Sequence, residues 1–256
     1  MCQLVLDQTG LLPHTNAGIL SPEELGQLSQ TNVSMGIMLE NISNRLLNRG
    51  GPHFGCESKV PSLRLNVLSD ASKLGILMTT GILIGIGETL EERVDSLFAI
   101  LDLQTRYGNI QEVIIQNFRA KPDTRMRSSL EPSTDDMIRT IAIARLILGG
   151  SMNIQTPPNL NANEYQKYLL AGINDWGGIS PVTRDYINPE APWPEIASLR
   201  NITEMAGFEL RERLAIYPEY VVSGTSNLSP TIQGHVNQLT DDDGYVQEGG
   251  LHSEHP

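Results

Sequence analysis

Apolar residues in this chain gather into short uncharged runs separated by amphipathic stretches. Ile76 to Ile84 is dominated by Ile, Leu, Met and Thr and carries no charge, a composition suited to a strand buried on both faces of a parallel sheet. Gly85 and Gly87 punctuate its end. Thr89 followed three residues later by Glu92 is a capping box, and Val94, Leu97, Phe98 and Leu101 continue at helical spacing. Val33 to Leu39 predicts a second buried strand closed by Glu40, and Glu112 to Phe118 a third that ends in Gln116 and Asn117. Shorter strand signals lie at Leu11–Thr15, Met152–Pro157 and Ile173–Trp176. Helices are expected from Ser21 (with Pro22 at the first position and Glu24 at the third), over Leu63–Leu74 and from Ser133 to Gly149. Two more are expected, over Tyr165–Ala171 and Pro194–Ala206, the latter with proline at its first position.

Strand and helix thus alternate about six times, with glycines and polar residues gathered after the strands. That order predicts an α/β fold of the (β/α) barrel kind, its site built by loops at the C-terminal ends of the strands. A doubly wound open sheet is the alternative, although no G-x-G-x-x-G opens any helix. From Val222 onward the apolar pattern fades into Gly, Ser, Asn and the run Asp241-Asp242-Asp243. The expected division is a barrel over 1–221 and a polar, disordered tail over 222–256. His235, His252 and His255 fall in that tail at spacings that match no metal motif.

Composition narrows the function. A length of 256 residues supports one large domain or two small ones. No run approaches the length of a membrane span, and no basic segment followed by an apolar one opens the chain as a secretory signal would. Two cysteines, Cys2 and Cys56, make no disulfide framework, so a reducing cytoplasm is the default expectation. A net charge of −12 argues against a nucleic-acid partner and leaves a small-molecule substrate as the expected ligand.

The candidate chemistry centres on Gly81 to Thr89, read as GILIGIGET: strand, glycine turn, carboxylate, helix. An ordinary strand-to-helix connection is one reading. A phosphate loop fits poorly, because no GK[ST] follows and Glu88 places negative charge where phosphates would sit.

GILIGIGET resembles the G-x-I-x-G-x-x-E motif of radical S-adenosylmethionine (SAM) enzymes, with Gly81, Gly85 and Glu88 at its fixed positions and Leu83 where the motif has Ile. LLPHTNAG, NVSMGIMLE, IIQNFRAKPDT and WGGISPVTRDYINPEAPWP extend the likeness from about Leu4 to Tyr220. Together they resemble the 7,8-didemethyl-8-hydroxy-5-deazariboflavin synthase family, and within it the G-type subunit. The resemblance implies a TIM-type barrel, a 4Fe-4S cluster and SAM as cofactors, and an H-type subunit as functional partner. It implies a 5′-deoxyadenosyl radical acting on an adduct of a tyrosine-derived phenol with 5-amino-6-ribitylaminouracil. Ring closure with loss of ammonia then gives the deazaflavin chromophore. Another radical SAM reaction on a related ring precursor is the enzymatic alternative.

By the same resemblance, Glu40 would bind the SAM ribose hydroxyls, or stand as a solvated loop carboxylate. Gly81 and Gly85 would let adenine lie against backbone, or serve turn geometry alone. Glu88 either fixes the turn or touches SAM. Arg64 pairs with the SAM carboxylate or is an ordinary surface helix arginine. Gln116 and Asn117 would meet adenine or substrate edges, with a structural amide as the other reading. Thr183, Arg184, Asp185 and Tyr186 lie in the loop expected to enclose substrate, and Met35 and Met38 read as core filling.

One family feature is absent. No C-x3-C-x2-C occurs, two cysteines cannot supply three cluster thiolates, and no early GGE-like segment for the SAM amino group is found. The expectation is an incomplete barrel that starts at about the third strand, with roughly 60–90 residues missing from the front. Either the chain is part of a working synthase, or it is a fragment or partner with no catalysis of its own.

Overall fold

A computed structural model describes residues 1–161, 164–180, 182–224 and 227–247. Its centre is a five-stranded, all-parallel sheet with strands in sequence order: β1 (His14–Thr15), β2 (Ser34–Gly36), β3 (Met78–Ile84), β4 (Ile110–Asn117) and β5 (Ile154–Gln155). A wall of consecutive parallel strands is what repeated βα units build when the connections return along one side. Those helices are α2 (Pro22–Ser29), α3 (Pro61–Lys73), α4 (Leu90–Tyr107), α5 (Thr134–Leu148), α6 (Tyr165–Ala171) and α7 (Ile196–Met205), while α1 (Cys2–Thr9) precedes β1. Each of α2 to α7 packs on the next, with α3 and α4 against β3, α4 and α5 against β4, and α5 against β5. This is a partial (β/α) barrel, with helices outside and the other sheet face lining a lumen.

The local causes are those the pattern announced. Ser21, Thr89 and Ser133 each close a reciprocal capping box, with Glu24, Glu92 and Asp136. Strand β4 alternates: Val113 and Ile115 are fully buried against the helices, while Glu112, Ile114 and Gln116 wall the lumen. Burying each such aliphatic side chain contributes on the order of 1.5–3 kcal/mol. On α4 the buried stripe is Leu97, Ile100 and Leu103, and Phe98, expected inside, faces solvent.

Several elements differ from the expectation. The strand at Ile173–Trp176 reduces to a single bridge between Gln155 and Asp175. Pairing stops there because Gly177 takes φ +72 and the Gln155 side chain occupies the space beside it. The last barrel helix begins at Ile196, because Glu195 is still extended and serves as its N-cap residue. Helix α8 (Pro218–Ser223) runs from the expected barrel into the stretch expected to be unpatterned, and α9 (Pro230–Leu239) forms within it, whereas 248–256 lie outside the described residues. Ile232 and Val236, one turn apart on α9, are fully buried with Leu6, Val33, Leu77, Leu214 and Ile216. This second core caps the sheet at the N-terminal ends of β2 and β3, where Val33 and Leu77 lie, and burial there outweighs the polar composition around it.

The segment before α8 ties this second core to the lumen. Leu214 and Ile216 turn into it, while Arg213, Ala215 and Tyr217 line the cavity. Arg213 holds Asp175 bidentately, Nε to Oδ2 at 2.6 Å and Nη2 to Oδ1 at 2.9 Å, and its Nη2 reaches Glu112 Oε1 at 3.1 Å. Tyr217 donates to the same Glu112 oxygen at 2.9 Å, and Thr79 donates to Oε2 at 2.9 Å. Burial pushes the Glu112 carboxyl up against the opposing Arg213 charge, and Asp175 adds to the rise. Replacing Arg213 with Met leaves the buried Glu112 carboxyl and the half-buried Asp175 carboxyl facing each other without a counter-charge, so we expect a loss of about 3–5 kcal/mol in urea unfolding. A change below about 1 kcal/mol would mean that the cluster does not anchor this segment.

Candidate cofactor and substrate site

The lumen holds a cavity of about 1190 Å³, walled by His14, Asn16, Gly36, Met38, Glu40 and Arg64 on one side and by Glu112, Gln116, Gln155 and Arg213 on the other. Glu40 stands just beyond β2, pairs as a bridge with Ile82 of β3, and takes φ 63, the only positive value at a non-glycine residue among those described. A left-handed glutamate is strained and persists only where its surroundings hold it. Here they do: backbone bonds join Glu40 N–H to the Gly81 carbonyl and Leu83 N–H to the Glu40 carbonyl, each at 2.9 Å.

Its carboxylate is buried, which removes the solvated-loop reading. His53 Nε2 lies 3.1 Å from Oε2, while Lys59 and Arg64 both meet Oε1, Arg64 at 3.4 Å. Burial opposes the charge, but the hydrogen bonds from His53 and Lys59 and the charges of Lys59 and Arg64 outweigh it, holding the carboxyl down at about 2. A carboxylate accepts at about four lone-pair sites, and Oε2 meets only His53, so Glu40 can still accept from a ligand hydroxyl. Asn41, the next residue, keeps its Nδ2 buried and unpartnered among the described residues.

Arg64 is no surface arginine. It is 7% exposed on α3, donates to the carbonyls of Met38 and Ser58, and walls the cavity beside Glu40. Met38, expected as core filling, also faces the lumen, whereas Met35 is in the core.

Gly81, Gly85 and Glu88 do not wall the cavity. A Cβ on Gly81 would overlap the Ile114 carbonyl of β4, and one on Gly85, at φ +89, would lie 2.5 Å from Pro132 Cδ. Close approach of the β4 backbone therefore demands Gly81, and a positive φ against the Pro132 ring demands Gly85. The Glu88 side chain is fully buried, accepts from the N–H groups of Gly85 and Ile86 at 2.8 Å each, and meets Arg93 Nε at 2.7 Å. That is turn fixation.

Gln116 and Asn117 are adjacent in sequence and opposite in space. Gln116 faces the lumen, while Asn117 points outward, where its Oδ1 accepts from Asn161 at 3.0 Å. It lines a separate cavity of about 390 Å³ with Arg119, Thr134, Asn159, Asn161 and Tyr168. Asp185 braces that wall, accepting from Asn159 and Asn188 at 2.9 Å each. Thr183, Arg184 and Tyr186 are exposed and wall neither cavity; Thr183 bonds Ser180, and the Arg184 guanidinium stacks 5.0 Å from the Tyr186 ring centre. Of the asparagines clustered after β5, Asn163 lies outside the described residues.

The sequence reading missed His14, His53, Lys59, Glu112, Asp175, Arg213 and Tyr217. Glu112 carried the one available signal, a carboxylate inside an apolar strand. The others become neighbours only in the fold.

No family model matches the chain. It is 50% identical over 249 residues to the 7,8-didemethyl-8-hydroxy-5-deazariboflavin synthase of Methanopyrus kandleri, an alignment covering 96% of this chain and 73% of that protein. The chain belongs to the 7,8-didemethyl-8-hydroxy-5-deazariboflavin synthase family. It is likewise 51% identical to an FO synthase of Streptomyces avermitilis, spanning 93% of this chain and 28% of that longer protein. Among solved structures, methylornithine synthase superposes with a TM-score of 0.59 at 18% identity, covering 81% of this chain and 61% of the other, which supports the barrel. As a deazariboflavin synthase relative the chain is of the radical SAM enzyme class, and membership implies a 4Fe-4S cluster and SAM.

The residues present do not fit the cluster. Cys2 sits on α1 with its Sγ 3.5 Å from Thr15 Oγ1, Cys56 is exposed in a distant loop, and no other cysteine exists. Among the described residues no group of three His, Cys, Asp or Glu could hold a metal ion. They do fit part of SAM, through the unspent lone pair of Glu40 at the mouth of the lumen.

The Glu40 carboxyl titrates near 2 in the fold against 4.5 when free, so its stabilisation is complete above pH 4.5 and lost as pH falls through 2. Acid unfolding followed by circular dichroism should show a loss between pH 4.5 and 2 that is shallower in Glu40→Gln. Equal slopes would mean that His53, Lys59 and Arg64 do not hold the carboxylate.

Proposed function

We propose that this chain supplies the SAM-binding and substrate-enclosing wall of a synthase that forms the deazaflavin chromophore. The proposed substrate is the tyrosine/5-amino-6-ribitylaminouracil adduct delivered by an H-type partner, and ammonia is the proposed by-product. SAM, when bound, supplies the hydrogen-abstracting 5′-deoxyadenosyl group.

One observation carries this reading: a buried, ionised carboxylate with a free lone pair at the C-terminal end of a barrel strand, aimed into a lumen large enough for two small molecules. Glu40 accepts from the ribose hydroxyls, while His53, Lys59 and Arg64 keep it charged and aligned at neutral pH. Arg64, fixed by the Met38 and Ser58 carbonyls, adds positive charge on the same side for the methionyl carboxylate. Gln116 offers an amide to a heterocycle edge, and the apolar Met38, Ile114 and Trp176 exclude water. The cysteine content favours a second reading, in which a chain without a cluster triad acts only as a partner that holds ligands in place.

Calorimetric titration of the 256-residue chain with S-adenosylhomocysteine tests the site directly, since it needs no cluster. Saturable binding that weakens at least about 10-fold (roughly 1.4 kcal/mol) in Glu40→Gln is expected. No binding, or equal affinity in the two chains, overturns the assignment of Glu40. Cleavage of SAM by the chain after anaerobic treatment with iron and sulfide would dismiss the partner-only reading.

A further inference from the structure

The lumen wall between β1 and β2 carries a histidine that the reading above leaves unused. His14 lies opposite Ser34 in the parallel register, with Nδ1 2.7 Å from the Ser34 hydroxyl oxygen. That hydroxyl has a single proton, which it gives to the Ala215 carbonyl, a group that can only accept. Ser34 Oγ must therefore accept from His14, so Nδ1 carries the imidazole proton and Nε2 a lone pair. Burial, helped by the Arg213 charge, brings the His14 pKa down to about 4 and keeps the ring neutral.

His14 and Asn16, two residues apart, both wall the lumen cavity and converge over Gly36. A Cβ at position 36 would lie 3.0 Å from His14 Nε2 and would overlap Asn16 Oδ1. Glycine leaves room for the Asn16 carboxamide to rest there beside His14 Nε2.

The other polar groups of the cavity are largely spent. Glu112, Asp175, Arg213 and Tyr217 are bound to one another. Gln111 bonds the Ala215 carbonyl and the Tyr217 N–H, Asn153 bonds the Gln111 carbonyl and Glu219, and Gln155 bonds the Trp176 carbonyl. His14 Nε2 has no hydrogen-bond partner among the described residues, and neither does the Asn16 carboxamide. What remains on this wall is one acceptor beside one amide. Its complement is a planar ring that presents an N–H next to a carbonyl.

We infer that His14 and Asn16 form the edge-reading site for the uracil ring of the precursor, with Nε2 accepting from a ring N–H and the Asn16 amide nitrogen donating to the adjacent carbonyl. This inference rests on the reading of the lumen as the precursor site. It makes His14 a specificity-determining residue in its neutral tautomer, and it gives Gly36 the task of seating the Asn16 carboxamide beside it.

The test uses the intact chain with ¹⁵N-labelled histidine, uracil as probe, and 1,3-dimethyluracil as the same ring without an N–H. Comparison with His14→Phe assigns the His14 resonances. We expect Nδ1 to be protonated and Nε2 to be imine-like at pH 7. Uracil should shift the Nε2 signal saturably, whereas dimethyluracil should leave it in place. Uracil binding should weaken at least 10-fold in Gly36→Ala, which keeps His14 but displaces the Asn16 carboxamide. A protonated Nε2, an absent uracil shift, equal responses to the two rings, or unchanged affinity in Gly36→Ala would each overturn the inference. S-adenosylhomocysteine added to the same sample reports on Glu40 separately. Loss of the uracil response with nucleoside binding intact therefore sinks only this inference, and loss of nucleoside binding sinks the functional reading beneath it.

Discussion

A single guanidinium sets the geometry of the lumen. Arg213 spans from Asp175, which bridges to β5, to Glu112 inside β4, so the inner face at that edge of the sheet is referred to one side chain. Two carboxyl groups and a guanidinium brought together out of water are costly unless each proton and lone pair finds a partner, and here Thr79 and Tyr217 supply the remaining hydrogen bonds. The same segment sends Leu214 and Ile216 into the second core, so the polar anchor and the apolar anchor alternate along a few residues. Without that anchor the inner face would be an open sheet surface. With it, the cavity has a floor, and the rim residues around Glu40 have something to face.

The rim works by a different economy. At Glu40 the backbone is strained and the side chain is held by Lys59, Arg64 and the His53 imidazole, so both orientation and charge are set before any ligand arrives. At Glu88 the carboxylate is consumed entirely by its own turn. Two glutamates at the ends of neighbouring strands thus have unlike duties, and the difference lies in their donors. Glu88 is saturated by backbone N–H groups and Arg93, whereas Glu40 is charged yet unsaturated.

Local chemistry was legible in the sequence wherever cause and effect sit within a few residues. The capping boxes at Thr89 and Ser133 placed their helices, and the uncharged run ending at Ile84 placed the central strand. What stayed hidden depends on distance along the chain. Arg213 meets Glu112 from 101 positions away, and no pattern in either stretch encodes the pairing. Arg64 reads as one polar position on an amphipathic helix, and only the fold shows that the buried stripe of α3 includes it. The helix at Pro230–Leu239 was obscured because only Ile232 and Val236 are fully buried, too few to stand out from polar neighbours. Gln116 and Asn117 show the same limit: the strand was recognised, but their separation follows from its pleat.

That pleat makes β4 a party wall between two rooms. Glu112, Ile114 and Gln116 furnish the lumen, and Asn117 furnishes the smaller chamber outside it, all on one eight-residue strand. Substituting any one of them alters one room. Deleting a single residue ahead of them would turn every furnishing through the wall at once, sending the ionic floor into the helix layer and aliphatic side chains into the ligand space. Insertions and deletions, rather than replacements, are therefore the changes this strand is least able to absorb, and its length is as much a part of the site as any side chain it carries.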